Sequence, residues 1–352
     1  MFTVDYLNDS QRKRMSHDLS ENYMDSRPLS FDKYICCTIT EKAIQTSNSL
    51  PNKGKYIFLG YFLSIWGHCI TDNLKKLWFL YSDIFNKEYK DYKLCYKALS
   101  SKNQLPQNFG QLLNSLGVNI NDIEPVNENW IFEELIVPKD SVYIDGDYRF
   151  YHMEMKSLIN HITLPTQPVR KHYPEKIYFS RTKLKQRFRD YGEIYIENAF
   201  RQMGFTIVYP ERLSFEEQLL YLRNCKVFAA TEGSIAHNAQ FCCPGTKQVI
   251  IRKSQMYCSY QFYIIHMTEA DTTYIDSNIS FWEVDNPWSG PFLMYCSDNL
   301  VKFAKEEYGV TLKSQISLLD VMKYSFVCLA KMIKGHSIKR VYSCKEIIHA
   351  FS

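Results

Sequence analysis

The chain reads as an α/β protein made of two successive doubly wound domains followed by a helical C-terminal tail. Three observations predict this. From about residue 30 onward, short β-branched or aromatic runs alternate with longer stretches of helical periodicity. The alternation restarts after "TLPTQPVRKHYPEK", whose three prolines and mixed charges mark a linker. The length, 352 residues with 45% apolar composition, suffices to bury two cores of ordinary size without disulfide help.

In the first half, "KYIFLG" (55–60) predicts a strand and residues 67–81 the helix after it. "YKLCYKAL" and "FEELIVP" predict two further strands, with a helix at "NFGQLLNSLG" between them and another near 151–162 closing the half. After the linker, "KIYFS" is a strand and "GEIYIENAFRQMG" a helix closed by Gly204. "FTIVYP" is the next strand, and "SFEEQLLYLRNC" a helix on which Ser214 and Glu217 form a capping box. "KVFAATEGSIAHNAQFCCPGTKQVIIRK" then gives strand, turn, helix and strand. The predicted domains are 1–165, 166–290 and a tail at 291–352. In the tail, 294–308 and 314–334 read as helices. The apolar face of the second (Ile316, Leu319, Met322, Val327, Leu329, Ile333) predicts core packing, with lodging on a membrane surface as the alternative, weakened by Asp320.

Composition removes several function classes. Forty-two basic against 38 acidic residues leave a net charge of +4, so bulk charge makes no case for a nucleic-acid partner. The 11 cysteines show neither C-x-x-C nor Cys/His metal spacing, which fits reduced thiols. The N-terminus lacks the apolar core of a secretory signal, and no run of apolar residues is long enough to cross a bilayer. The expectation is a soluble, cytoplasmic protein.

Three segments carry candidate chemistry. In "GYFLSIWGHCITDNLKKLW", His68 and Asp72 stand one helical turn apart, with Leu74, Leu77, Trp78 and Tyr81 as an anchoring stripe. The pair reads either as a base and an acid or as a structurally satisfied pair. In "SRTKLKQRFRDYGE", Arg181, Lys183, Lys185, Arg187 and Arg189 follow a strand's carboxyl end, where they could neutralise a diphosphate or simply form a solvated loop. In "AATEGSIAHN", Gly233 allows close backbone approach, and the N–H groups of Ser234, Ile235 and Ala236 would face an anion. Glu232 could accept from a ribose diol. For His237 and Asn238, ligand contact and packing are both open. Asp145 and Asp147 in "YIDGDYR" read as a turn rather than a metal site. No G-x-G-x-x-G, Walker, G-x-S-x-G or H-E-x-x-H sequence occurs.

Taken together, "WGHCITDNLKKLW", "IYFSRTKLKQRFRDYGE" and "GFTIVYPERLSFEEQLLYLRNCKVFAATEGSIAHNAQFCCPG" resemble glycosyltransferase family 61, particularly its bacterial capsular-polysaccharide type, over about residues 55–250. The resemblance implies a GT-B-like architecture of two Rossmann-like domains facing across a cleft. It also implies an acceptor-side N-terminal domain, a nucleotide-diphosphate sugar bound by the C-terminal one, and inversion at the anomeric carbon with no required metal or other cofactor. The family's helix motif falls on Trp66, His68 and Asp72, its S-R arginine on Arg181, and its glycine element on Gly233, Ser234 and Asn238. The sequence departs where the family commonly has Asn-Glu, since Tyr191 and Gly192 precede Glu193 here.

The expected activity is therefore hexosyl or pentosyl transfer to a glycan or polysaccharide acceptor, in surface or capsular polysaccharide synthesis. Either His68 or Asp72 is the base, with the imidazole favoured because it titrates near neutral pH. Arg181, Lys185 and one of Arg187 or Arg189 clamp the diphosphate. Peripheral contact with a membrane or with other capsule enzymes belongs to the same expectation. The alternatives are a non-catalytic nucleotide-sugar-binding or scaffold protein, and a metal-dependent phosphotransferase.

Overall fold

The computed structural model describes residues 2–38, 53–99, 105–126, 130–163, 172–184, 190–279, 282–284, 290–334 and 338–340. It is a mixed α/β protein with parallel sheets. The chain divides into two compact units, one of Tyr23–Pro168 and one of Met1–Asn22 with Val169–Ser352. The linker predicted at 163–176 falls mostly outside the described residues.

In the unit Tyr23–Pro168, a five-stranded sheet runs in the spatial order Phe31–Thr38, Ile131–Pro138, Lys55–Phe62, Lys93–Ala98, Ile123–Pro125. All neighbours pair in parallel except the first two strands, which are antiparallel. Tyr56, Cys95, Trp130, Phe132 and Leu135 form a buried cluster on it, consistent with the apolar, aromatic runs that predicted these strands. Beside it, Val142–Asp145 and Tyr148–His152 pair as a hairpin, and Asp145 lies opposite Tyr148 with Gly146 at φ +58°. The "YIDGDYR" segment is thus a turn.

In the other unit, a six-stranded, wholly parallel sheet has the order Thr206–Val208, Lys176–Phe179, Val227–Thr231, Lys247–Arg252, Thr272–Asp276, Phe2–Tyr6. Leaving aside the N-terminal strand, this is the doubly wound order 2-1-3-4-5. Helices Glu193–Gln202, Phe215–Asn224 and Ser259–Thr268 make crossovers. The capping box on Ser214 and Glu217 is present, and Gly204 closes the helix before it with φ +80°. The core joins Tyr178, Ile196, Phe200, Ala229, Val249 and Ile275 to Leu300 and Phe303 of the helix Asp298–Tyr308.

One predicted helix differs from expectation. The stretch 67–81 is not one helix: Trp66–Ile70 is a five-residue α-helix, and Leu77–Tyr81 a separate 3-10 turn. The cause is Asn73, which the sequence reading placed within the helix. Its side chain accepts from Leu63 N at 3.0 Å and donates to Leu63 O at 2.9 Å, drawing the chain back to the strand end. The helix predicted after Gly233 is present as a 3-10 helix, Ala236–Phe241.

Candidate functional site

In open parallel sheets ligands bind beyond the carboxyl ends of the strands, where the order of winding reverses. Each unit has such a point. In Tyr23–Pro168 the chain leaves Lys55–Phe62 for Lys93–Ala98 on one side, and Ile131–Pro138 later returns on the other. His68 follows the carboxyl end of that first strand. Its Nδ1 lies 2.6 Å from Asp72 Oδ2, and the side chains are 38% and 22% exposed. Asp72 therefore stands just past the short helix yet still reaches His68. Thr71 Oγ1 donates to Gly67 O at 2.8 Å and lies 3.3 Å from the same carboxylate oxygen. A carboxylate can only accept, so the neutral imidazole carries its proton on Nδ1 and its basic lone pair on Nε2. Beneath the pair, Cys69, Ile70, Leu74 and Leu77 are fully buried and hold it on a packed base. Lys75 and Lys76 bind Asp140 at 2.9 and 2.7 Å, and Lys76 donates to Pro138 O, fixing the loop after the neighbouring strand.

In the second unit the reversal lies between Lys176–Phe179 and Val227–Thr231, so the crevice opens between Ser180–Arg181 and Glu232–Gly233. Arg181 is 12% exposed, and its Nη2 lies 3.4 Å from Asp190 Oδ2. Its backbone N–H donates to Glu193 Oε1 at 2.9 Å, and Tyr178 Oη donates to the same oxygen at 3.2 Å. Burial pushes the Glu193 carboxyl up to about 7, opposed by the Arg181 N–H and reinforced by the Asp190 charge. The neighbouring Glu197 behaves oppositely. Burial would raise its pKa, but hydrogen bonds from Thr182, Ser180, Arg201 and Tyr209 hold it below the ordinary carboxylate range.

Lys253 completes this corner, and sequence reasoning missed it. It follows the strand Lys247–Arg252 and is nearly fully buried, with Nζ 3.9 Å from Asp190 Oδ1 and 4.4 Å from the centroid of the Phe292 ring. Gly233, which φ +104° reserves for glycine, lies beside it: a Cβ there would meet Lys253 Nζ at the contact distance of 3.4 Å. Thus Asp190 bridges two cations, Arg181 and Lys253, beside a glycine at the winding reversal. The signal in sequence was a basic residue at a predicted strand's carboxyl end, which "IIRKS" contains without distinction.

The other predicted residues are placed as follows. Glu232 is fully buried: its Oε1 accepts from Cys258 N at 2.9 Å, and its Oε2 lies 3.9 Å from Arg252 Nε. Burial raises its pKa, with Arg252 opposing. His237 Nδ1 lies 3.2 Å from Gln261 Oε1 and Nε2 3.6 Å from Cys258 Sγ. Asn238 Nδ2 donates to Ile235 O at 2.9 Å, and both residues are buried. The N–H of Ala236 donates to Gly233 O at 2.8 Å, which leaves Ser234 and Ile235 as the turn's nearer donors. Lys185, Arg187 and Arg189 lie outside the described residues.

The sequence profile of the family Glycosyltransferase 61 matches residues 66–249, just over half of the chain, beginning at Trp66 and ending in the strand before Lys253. The chain belongs to glycosyltransferase family 61. Both the His68–Asp72 pair and the Arg181 and Gly233 corner fall inside the region that family membership covers. A search of curated proteins gives no match to this chain.

Proposed function

We propose that this family 61 member is an inverting glycosyltransferase of GT-B type. It moves a sugar from a nucleoside-diphosphate sugar to a glycan or polysaccharide acceptor on the cytoplasmic side of surface or capsular polysaccharide synthesis. The observation that carries the reading is the pair of cations, Arg181 and Lys253, held by Asp190 against Gly233 at the winding reversal. That is where a doubly wound sheet receives a nucleotide. Two cations with a close-approach glycine suit a diphosphate, and neutralisation by side chains makes a metal dispensable.

In the proposed reaction the acceptor hydroxyl oxygen attacks the anomeric carbon while the bond from that carbon to the diphosphate oxygen breaks. His68 Nε2 takes the hydroxyl proton, and Asp72 stabilises the resulting imidazolium through Nδ1–H. The nucleoside diphosphate leaves with its added charge on Arg181 and Lys253. The test is a panel of nucleotide sugars incubated with the full chain and a mixture of glycan acceptors, with and without a chelator. One donor should be consumed with sugar appearing on acceptor, at the same rate in both. Donor binding without transfer would instead make the protein a nucleotide-sugar-binding scaffold, and loss of activity with chelator would refute the side-chain clamp.

A further inference from the structure

The helix Leu318–Ile333 is apolar on the side that faces away from the protein. At 100° per residue, Leu318, Met322, Phe326, Leu329 and Ile333, together with Leu319, fall on one stripe, and all six are exposed. Phe326 is 71% and Ile333 79% exposed. The opposite side is the packed one. There Tyr324 and Cys328 are buried against Tyr191, Ile279 and Leu293, and Lys331 donates to Gly290 O at 2.5 Å. Of the face expected to pack on the core, Ile316 and Val327 do so, beside Tyr324 and Cys328, whereas Leu319, Met322, Leu329 and Ile333 point outward.

Charge decides what covers this stripe. From Val321 to Lys345 the sequence has six Lys or Arg residues and no Asp or Glu. Lys323 is exposed next to the stripe and Lys334 is exposed at the helix's C-cap, while the helix's one acidic residue, Asp320, sits in its first turn on the flank away from the stripe. A second copy docking face to face would offer these lysines no anionic partner on the helix beyond the Asp320 of its first turn. An anionic lipid surface satisfies both halves of the pattern, apolar side chains among the acyl chains and lysines at the phosphates. No described helix is long and apolar enough to cross a membrane, so a helix docked on lipid here would lie along the surface rather than span it.

We propose that Leu318–Ile333 docks the protein onto anionic lipid through its outward stripe. Because the helix packs on Tyr191, next to Asp190, docking holds the Arg181 and Lys253 corner close to the bilayer surface. The proposal stands whether or not that corner binds a nucleotide sugar.

The test is flotation of the full chain with vesicles of phosphatidylcholine alone and of phosphatidylcholine with phosphatidylglycerol in equal parts. The wild type should float with the anionic vesicles and much less with the neutral ones. Met322→Asp with Phe326→Asp should weaken binding about tenfold or more while leaving the thermal unfolding midpoint unchanged, since both residues are exposed. Lys323→Gln and Lys334→Gln should each weaken binding to anionic vesicles about fivefold, with little effect on neutral ones. Absence of wild-type binding to either vesicle, or equal binding of the Met322→Asp/Phe326→Asp variant, would overturn the proposal. So would a wild-type dimer in size-exclusion chromatography that the same variant converts to monomer, because the stripe would then be an interface between copies.

Discussion

At the scale of residues, the proposed chemistry rests on two carboxylates that hold other groups in place. Asp72 fixes the His68 tautomer over 2.6 Å, and Asp190 gathers Arg181 and Lys253. If His68 is the base, His68→Ala should lower transfer by about a hundredfold or more, the range for loss of a general base, with donor binding retained. Asp72→Asn should also lower it, because an amide at Oδ2 permits the other tautomer; steady-state rates for both variants check this. Glu193 gives a pH prediction. Its folded pKa is raised from the ordinary carboxylate value to about 7, so the fold favours the protonated form. Its contribution is full below the unfolded pKa and is lost as pH rises through about 7, an effect of roughly 3 kcal/mol. Thermal unfolding of wild type and Glu193→Gln between about pH 5 and about 8 should show the gap between them shifting in the variant's favour as pH rises. A gap independent of pH would show that the carboxyl titrates alike in both states.

At the scale of elements, Gly192 shows what one residue's conformation can decide. It precedes the helix Glu193–Gln202 at φ +78°, and a Cβ there would sit 1.9 Å from Met294 O, where Asp190–Tyr191 pairs with Phe292–Leu293. Gly192→Ala must therefore break that pairing or move the helix, and should cost about 3 kcal/mol or more of unfolding free energy. Gly146→Ala, with φ +58° and nothing within 4 Å of the new Cβ, should cost only about 1 kcal/mol. Denaturant melts compare the two. Glycine at position 192 thus has a steric cause, the close approach of Met294 O. It was not legible beforehand, because Met294 is brought there by tertiary pairing.

What was legible at this scale was what local physics dictates. The Ser214 capping box, the Gly204 helix end and the strand runs at 55–60 and 176–180 were read from side-chain chemistry and spacing, and the structure has them. The helix predicted over 67–81 failed because Asn73 bonds a strand end ten residues back, a competition that helical periodicity does not register. In the candidate site, His68, Asp72, Arg181 and Gly233 stood out through motif spacing. Lys253 did not, because only the strand order brings it to the Gly233 turn. Glu232 looked available in a turn but is drawn inward by Arg252 and Cys258.

At the scale of the whole molecule, the unit carrying Arg181 is discontinuous in sequence. Phe2–Tyr6 pairs in parallel with Thr272–Asp276, placing Phe2 opposite Thr272, and Tyr6 packs edge-on against Phe303. Nothing local in the first residues announces a strand whose partner is so distant, so the N-terminal segment read as part of the first half. The grouping nonetheless bears on function, because the strand completes the same sheet whose other edge region holds Ser180 and Arg181. The central claim is that this sheet binds a nucleoside-diphosphate sugar through the Arg181 and Lys253 corner while His68 serves the chemistry alone. The most direct measurement is the shift in thermal unfolding midpoint that a panel of nucleotide sugars gives to wild type, Arg181→Ala and His68→Ala. A selective stabilisation of wild type, retained in His68→Ala and lost in Arg181→Ala, is the predicted result; an undiminished shift in Arg181→Ala would contradict it.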